Sequence, residues 1–350
     1  MNIEKMGNCS EPSKISKTGI NACIFKTVFE ILFGGYATPT KCVAFWRLAL
    51  NSYSIFNNQE KSTMKTAIMT DTNSGITKNI AEKLGIYVIH MPIIIDETTF
   101  YENDTITEAE FFHALSSSKH ITTSQPSPGD VMDLWSQILD EGYDELVYIP
   151  MSSGLSNSCA AATGYSLDYE GKIEVVDNHR ISVTMYESVL HAREMSLNGA
   201  SAKEIKAALE SDAYNSSIYI TVNTLEYLKK GGRITPAAAL IGTVLSIKPI
   251  LTIQGEKLDS YAKARGSMKR AEEKMILAIQ SDLEKRFVHQ DMSKLHIGAA
   301  GAGLTTTQQK EWLTLLHNKF PEADVFYSPL SASISVHTGP GAVGIGISFR

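Results

Sequence analysis

Short apolar runs alternate with stretches of helical spacing from Met64 onward. Thr66–Thr70 reads as a buried strand that ends in the turn Asp71-Thr72-Asn73-Ser74-Gly75. Thr77–Leu84 has apolar residues at helical spacing and stops at Gly85, a residue suited to the position that closes a helix. Ile86–Ile95 is rich in β-branched residues and is broken at Pro92. Thr107 caps a helix through Leu115, and Pro128 opens another through Leu139 that closes at Glu141-Gly142. Proline is tolerated there because the first helical N–H lacks a partner in any case. Leu146–Pro150 is a continuous apolar strand, the pattern of a strand covered on both faces. A helix to about Ser166, a strand over Lys172–Val176 and a long helix over Ile181–Leu197 follow. Strand, loop, helix and strand in repetition predict a parallel sheet with helices on both faces.

The pattern changes in the second half. Ser201–Glu210 is helical, Ser217–Val222 is a strand, and Asn223–Lys230 is a short helix ending at Gly231-Gly232. Pro236–Leu245 is almost wholly small and apolar. Lys248–Ile253 and Lys257–Lys263 flank the turn Gln254-Gly255-Glu256 and predict a hairpin. Met268–Phe287 is a long helix, Leu295–Ala300 a strand, Thr306–Lys319 a helix and Ala323–Tyr327 a strand. The tail from Ser331 to Phe349 is rich in Ser and Gly. A hairpin among β-α units predicts a mixed sheet, and so an α+β domain after a parallel α/β domain. The expected organisation is 64–214 for the first domain, 215–350 for the second, and 1–63 as an extension of different character.

Charge and cysteine usage narrow the partners. The chain has 350 residues, a length that favours two domains, and a net charge of −6. It has no arginine-rich run, which argues against nucleic acid. Cys9, Cys23, Cys42 and Cys159 form no C-x-x-C pair and have no histidines at zinc spacing. No metal is expected. A chain of this size does not need a disulfide framework, so a reducing cytoplasm is the expected location.

Residues 1–63 carry a charge of +3, which leaves −9 for residues 64–350. Ile20–Leu50 is apolar in places but is interrupted by Lys26, Glu30, Lys41 and Arg47. It lacks the uninterrupted run of about 18 residues that a membrane span needs, and the order of a signal peptide. Met64-Lys65-Thr66-Ala67-Ile68 reads as an initiator followed by a first core strand. Gln59-Glu60-Lys61 is compatible with a purine-rich AGGAG stretch at ribosome-binding distance. The expectation is a start codon placed too far upstream; the alternative is a true extension.

Two polar loops carry most of the candidate chemistry. One is Thr122-Thr123-Ser124-Gln125-Pro126-Ser127-Pro128, and the other is Ser152-Ser153-Gly154-Leu155-Ser156-Asn157-Ser158. Each follows an extended stretch and runs into a helical pattern. Hydroxyls and free N–H groups at such a junction can cradle an anion, and they also serve as plain helix caps. Asp71 and Ser74 lie at a strand end, where ligands gather in open α/β sheets, or form an Asx turn. Lys229-Lys230-Gly231-Gly232-Arg233-Ile234 suits a helix C-terminus, with Gly231 at C′. Arg233 is left over and is placed to reach a carboxylate or phosphate. His337-Thr338-Gly339-Pro340-Gly341 predicts a backbone loop with an imidazole fixed at its start. Gly298-Ala299-Ala300-Gly301-Ala302-Gly303 follows a strand but has the wrong spacing for a dinucleotide loop. The Ser156 loop lacks the flanking glycines of a hydrolase elbow.

Taken together, Asp71-Thr72-Asn73-Ser74, Thr123-Ser124-Gln125-Pro126, Ser152-Ser153-Gly154-Leu155-Ser156, Tyr227–Ile234 and His337–Gly341 resemble the DegV family of fatty-acid-binding proteins. That family includes the FakB-type subunits of bacterial fatty acid kinase. The resemblance runs from Met64 to Arg350 and leaves residues 1–63 unmatched. It implies a two-domain DegV-like fold with one long-chain fatty acid between the domains. It implies that Thr123 and Ser156 hydrogen-bond the carboxylate, with Ser124, Ser153, Arg233 and His337 about it. Asn157 departs from the glycine common after that serine. It further implies a non-catalytic carrier without cofactor, which presents its acid to a separate FakA-like, ATP-dependent kinase for acyl phosphate formation and phospholipid metabolism.

Elementary energetics agree with enclosure. About fifteen methylenes at roughly 0.8 kcal/mol each make a gross transfer free energy of about 12 kcal/mol. A carrier must therefore surround the tail, and the apolar Pro236–Leu245 segment fits as one wall. Hydroxyls satisfy the carboxylate without the tight pairing that a buried lysine would impose. The alternative function is a subunit of another small-molecule kinase, or a hydrolase using Ser156 and His337. The sequence carries no phosphate-cradling P-loop.

Overall fold

The computed structural model describes residues 64–350 apart from Ser118 and residues 241–246. Cys9, Cys23, Cys42, the extension over residues 1–63, and Ile241, Val244 and Leu245 of the apolar segment lie outside the described residues. The described chain runs through β1 (Thr66–Asp71), α1 (Lys78–Leu84), β2 (Ile86–Ile89), β3 (Ile93–Ile95), β4 (Thr98–Phe100), α2 (Glu108–Leu115), β5 (Ile121–Thr123), α3 (Pro128–Asp140), β6 (Glu145–Ile149), α4 (Ser158–Ser166), β7 (Ile173–Val175), α5 (Ser182–Leu197) and α6 (Ala202–Ser211). It continues through β8 (Ser216–Thr221), α7 (Glu226–Gly231), α8 (Pro236–Ala239), β9 (Ile247–Ile253), β10 (Asp259–Arg265), α9 (Met268–Lys285), β11 (Leu295–Gly301), α10 (Thr306–Lys319), β12 (Asp324–Pro329), α11 (Ala332–Thr338) and β13 (Val343–Phe349).

The first sheet has the order β2-β1-β6-β7, and every pairing in it is parallel. β1 is buried along its whole length, as a central strand with helices over both faces should be. Val131, Trp135 and Ile138 of α3 cover one face together with Cys159 and Ala162 of α4. Val189 and Ala192 of α5 and Ile205 and Leu209 of α6 cover the other. Local chemistry fixes the helix starts. Thr107 and Glu110 form a reciprocal capping box on α2, and Ser127 caps α3 with Pro128 in its first turn.

The second large sheet has the order β10-β9-β8-β13-β11-β12. It is mixed: β11 pairs parallel with β12, and the other pairings are antiparallel. β9 and β10 are the expected hairpin. Helices α9 and α10 cover one face through Met275, Ile279, Trp312 and Leu316. The start of α5 approaches the other face closely. An added Cβ at Gly298 or Gly346 would collide with the Val183 side chain. The glycine cluster after Gly298 is therefore partly a packing requirement.

Two features differ from the sequence reading. The tail after Ser331, to which the sequence reading gave no element, forms helix α11 and then β13, a strand flanked on both sides by β8 and β11. The alternation Val343-Gly344-Ile345-Gly346-Ile347-Ser348-Phe349 has strand period. Glycine weakened its propensity while making room for α5. A third, small sheet β4-β3-β5 also forms, and Thr123 is the last residue of its strand β5 rather than part of a free loop.

Candidate functional site

The loop bearing Ser156 is shaped by its neighbours. Asp71, at the C-terminal end of β1, accepts from the N–H groups of Asn73 and Met151 at 2.8 and 2.9 Å. It forms the Asx turn and also holds the exit of β6. Burial raises its carboxyl to about 6 despite those two bonds. The Ser152 N–H donates to the Arg180 carbonyl, and the Ser152 hydroxyl to the Gly255 carbonyl at 2.8 Å. Gly154 lies so close to the Gly255 carbonyl that an added Cβ would strike it. The hairpin turn between β9 and β10 is thus seated on the serine loop. Arg180, which the sequence reading passed over, is itself fixed by Asp212 and Ser188 at 2.8 and 3.0 Å.

Ser156 Oγ accepts from the Ser158 N–H at 3.2 Å and lies 2.8 Å from Ser158 Oγ. It helps to cap α4, where Asn157 makes no side-chain cap. Capping uses the oxygen as acceptor and leaves the hydroxyl proton to be shared or directed elsewhere.

His337 lies in the last turn of α11, not at the start of a loop. Ser331 caps that helix, donating its own hydroxyl to Asn73 Oδ1 at 2.8 Å while it accepts from the Ile334 N–H. Glu102 accepts from the Ala332 N–H at 2.9 Å, and burial raises the Glu102 carboxyl to about 7. The first strand and this helix are tied through Asn73. At the far end, His337 Nε2 lies 2.9 Å from Thr123 Oγ1. Its Nδ1 has no partner and sits against Gly231, where an added Cβ would strike it. Burial, and then the nearby Arg233 cation, push the imidazole down to about 4. It is neutral at physiological pH.

Gly232, at φ +68, takes the left-handed position after α7, so Gly231 does not occupy it; Gly231 makes room for His337. Arg233 donates to the Gly231 carbonyl at 2.5 Å and to the Leu155 carbonyl at 3.2 Å. Its second terminal nitrogen has no partner among the described residues.

These elements line one partly open cavity of about 170 Å³. Thr123, Ser124, Ser156, Arg233 and His337 all line it, with Asn157, Ser333 and Thr338 beside them. Gln125 and Ser182 line it as well, and the rest of the wall is apolar, including Met91, Leu155, Ile218, Ile220 and Leu258. Ser153 stands apart: it is exposed, does not line the cavity, and its N–H faces Asp177. Ala238 of α8 is buried in the same apolar cluster, but none of Pro236, Ala237, Ala238, Ala239 and Leu240 lines the cavity, and Leu240 is exposed; residues 241–245 of that expected wall lie outside the described residues. Ser182 and Ser333 were missed in the sequence; nothing in their local spacing marks them, because the fold alone brings them to the cavity. Gly231 was read only as a helix end, and its place against His337 was missed. Cys159 is buried and free. Among the described residues no group of three His, Cys, Asp or Glu could hold a metal ion, and no helix is long and apolar enough to cross a membrane.

A family model described as "Uncharacterised protein, DegV family" matches residues 65–350. A DegV domain-containing protein of Clostridium acetobutylicum is 30% identical over 288 residues, 81% of this chain and 97% of that protein. A fatty-acid-binding DegV family protein from Thermus thermophilus has a similar structure, with TM-score 0.74 and 27% identity over 82% of this chain and 100% of the other. DegV from Bacillus subtilis, described as a fatty acid binding protein, gives TM-score 0.71 and 27% identity over the same shares.

Proposed function

The chain belongs to the DegV family, and on that footing we propose that it binds one long-chain fatty acid and presents the carboxylate to a FakA-like fatty acid kinase. The observation that carries this reading is the composition of one cavity wall: an apolar lining with Thr123, Ser156, Arg233 and His337 gathered among it. In this reading residues 64–214 and 215–350 act as two domains with the acyl chain between them, in the reducing cytoplasm.

His337 in the tautomer that protonates Nε2 donates to Thr123 Oγ1. Thr123 then turns its own proton toward the carboxylate. Ser156 supplies a second hydroxyl and Arg233 the free terminal nitrogen. A neutral imidazole helps here: it orients Thr123 without adding a second cation to Arg233, so the carboxylate oxygen stays available as a nucleophile toward ATP. The protein contributes enclosure and orientation, and the kinase the phosphoryl transfer. A Ser156–His337 hydrolase draws no support, because the imidazole contacts Thr123 while Ser156 contacts Ser158.

The test is acyl phosphate formation, trapped as the hydroxamate, with ATP, magnesium and a FakA-like kinase. Product is expected only when both proteins are present. Product from this chain alone would overturn the carrier reading. Bound fatty acid that no such kinase phosphorylates would remove the kinase partner.

A further inference from the structure

Ser182 is the first residue of α5 and lines the cavity between Ile181 and Val183. It is 7% exposed, and its hydroxyl oxygen is buried without a hydrogen-bond partner. Its backbone is left-handed, at φ +54. A non-glycine residue is held there only when its surroundings impose it. Ile181 occupies the N-cap of this 16-residue helix and has no side-chain oxygen to give the first turn. The opening N–H groups of a helix have no partners within it. A hydroxyl and an uncapped helix start therefore meet at a cavity whose wall also holds the apolar Ile181, Val183, Ile218, Ile253 and Ile345. Among the described residues no hydrogen bond joins Ser182 to Thr123, His337 or Arg233.

We propose that Ser182 and the start of α5 form a second polar subsite, which receives an oxygen carried on the acyl chain of the ligand. The preferred ligand class is then a hydroxy or oxo fatty acid. This rests on the reading of Thr123, Ser156, Arg233 and His337 as the carboxylate site. A plain methylene chain at this wall would exclude water and leave the hydroxyl dry and unpaired, a costly state for a buried polar group. A chain oxygen accepts from it. The oxygen is neutral rather than a second carboxylate, because Arg233 is the one cation among the described lining residues and belongs to the other cluster.

The test uses the delipidated full chain with hexadecanoic acid and a series of monohydroxyhexadecanoic acids, the hydroxyl stepped along the chain, plus the oxo counterpart of the best isomer. At least one position should bind about threefold to tenfold more tightly than hexadecanoic acid, as one added hydrogen bond gives. Ser182→Ala and Ser182→Gly should abolish that ratio and tighten binding of hexadecanoic acid itself. The glycine variant keeps the left-handed backbone without strain. A flat series in the unaltered protein overturns the subsite, as does a preference that survives in either folded variant. If hexadecanoic acid binds in a Thr123-dependent way but the series is flat, the subsite alone fails. If no fatty acid binds, the carboxylate reading fails with it.

Discussion

Thr123 Oγ1 lies 2.9 Å from His337 Nε2, although 214 residues separate them in the chain. Thr123 closes strand β5 and His337 sits in the last turn of α11, so the pair exists only when the small sheet and the C-terminal helix are both in place. Two residues singled out on unrelated local grounds thus meet at one wall of one cavity.

Thr123→Ala and Ser156→Ala should each weaken fatty-acid binding by about 1.5–3 kcal/mol, the worth of a hydrogen bond to a charged group. Thr123→Ser should keep most of the affinity. Fluorescent fatty-acid displacement reads these values, and melting temperature verifies the fold. Undiminished affinity in the double alanine variant would reduce both residues to structural roles.

Gly231→Ala should act through His337. The backbone of Gly231 is ordinary for any residue, but its Cβ would occupy the space of His337 Nδ1. The imidazole must move, and Thr123 loses its orienting partner. Affinity should fall by about tenfold, as expected when one hydrogen bond of roughly 1.4 kcal/mol is lost. The imidazole signals in NMR should shift. Unaltered signals and affinity would show that the two groups do not compete for space.

Acid stability should depend on two buried groups with opposite signs. His337 is pushed down from its ordinary 6.5 to about 4. As pH falls from 6.5 toward 4, the unfolded chain takes up a proton that the folded chain refuses, so stability is lost. Asp71 is pushed up from 3.8 to about 6. As pH falls from 6 toward 3.8, the folded chain takes up its proton first, so stability is gained. Relative to its own value at pH 7, His337→Gln should therefore be more stable at pH 4.5 than the unaltered protein, by on the order of 2 kcal/mol. Asp71→Asn should be less stable there by a similar amount. Urea unfolding at both pH values measures this. Changes of the same sign in the two variants would contradict the assignment.

Much of this fold was legible because long periodic segments carry their own end signals. Thr107, Ser127 and Thr305 cap helices where the pattern places them. The tail was not legible as structure, because Gly344 and Gly346 dilute an alternation whose apolar members are all buried. The need for Gly346 is tertiary: Val183 packs where its side chain would otherwise be. Thr123, Ser124, Ser156, Arg233 and His337 were legible as candidates, since they lie near element ends with recognisable chemistry, whereas Ser153, read with them, stays outside the cavity. Gly231 and Ser182 were not, since each has its importance only through a residue distant in sequence.

The central claim is tested most directly by native mass spectrometry of the purified full chain, followed by organic extraction and identification of what is released. The account predicts a stoichiometric long-chain acyl species, about one per protein, replaced by added fatty acid after delipidation. No bound acyl species, together with no uptake of added fatty acid, would contradict it.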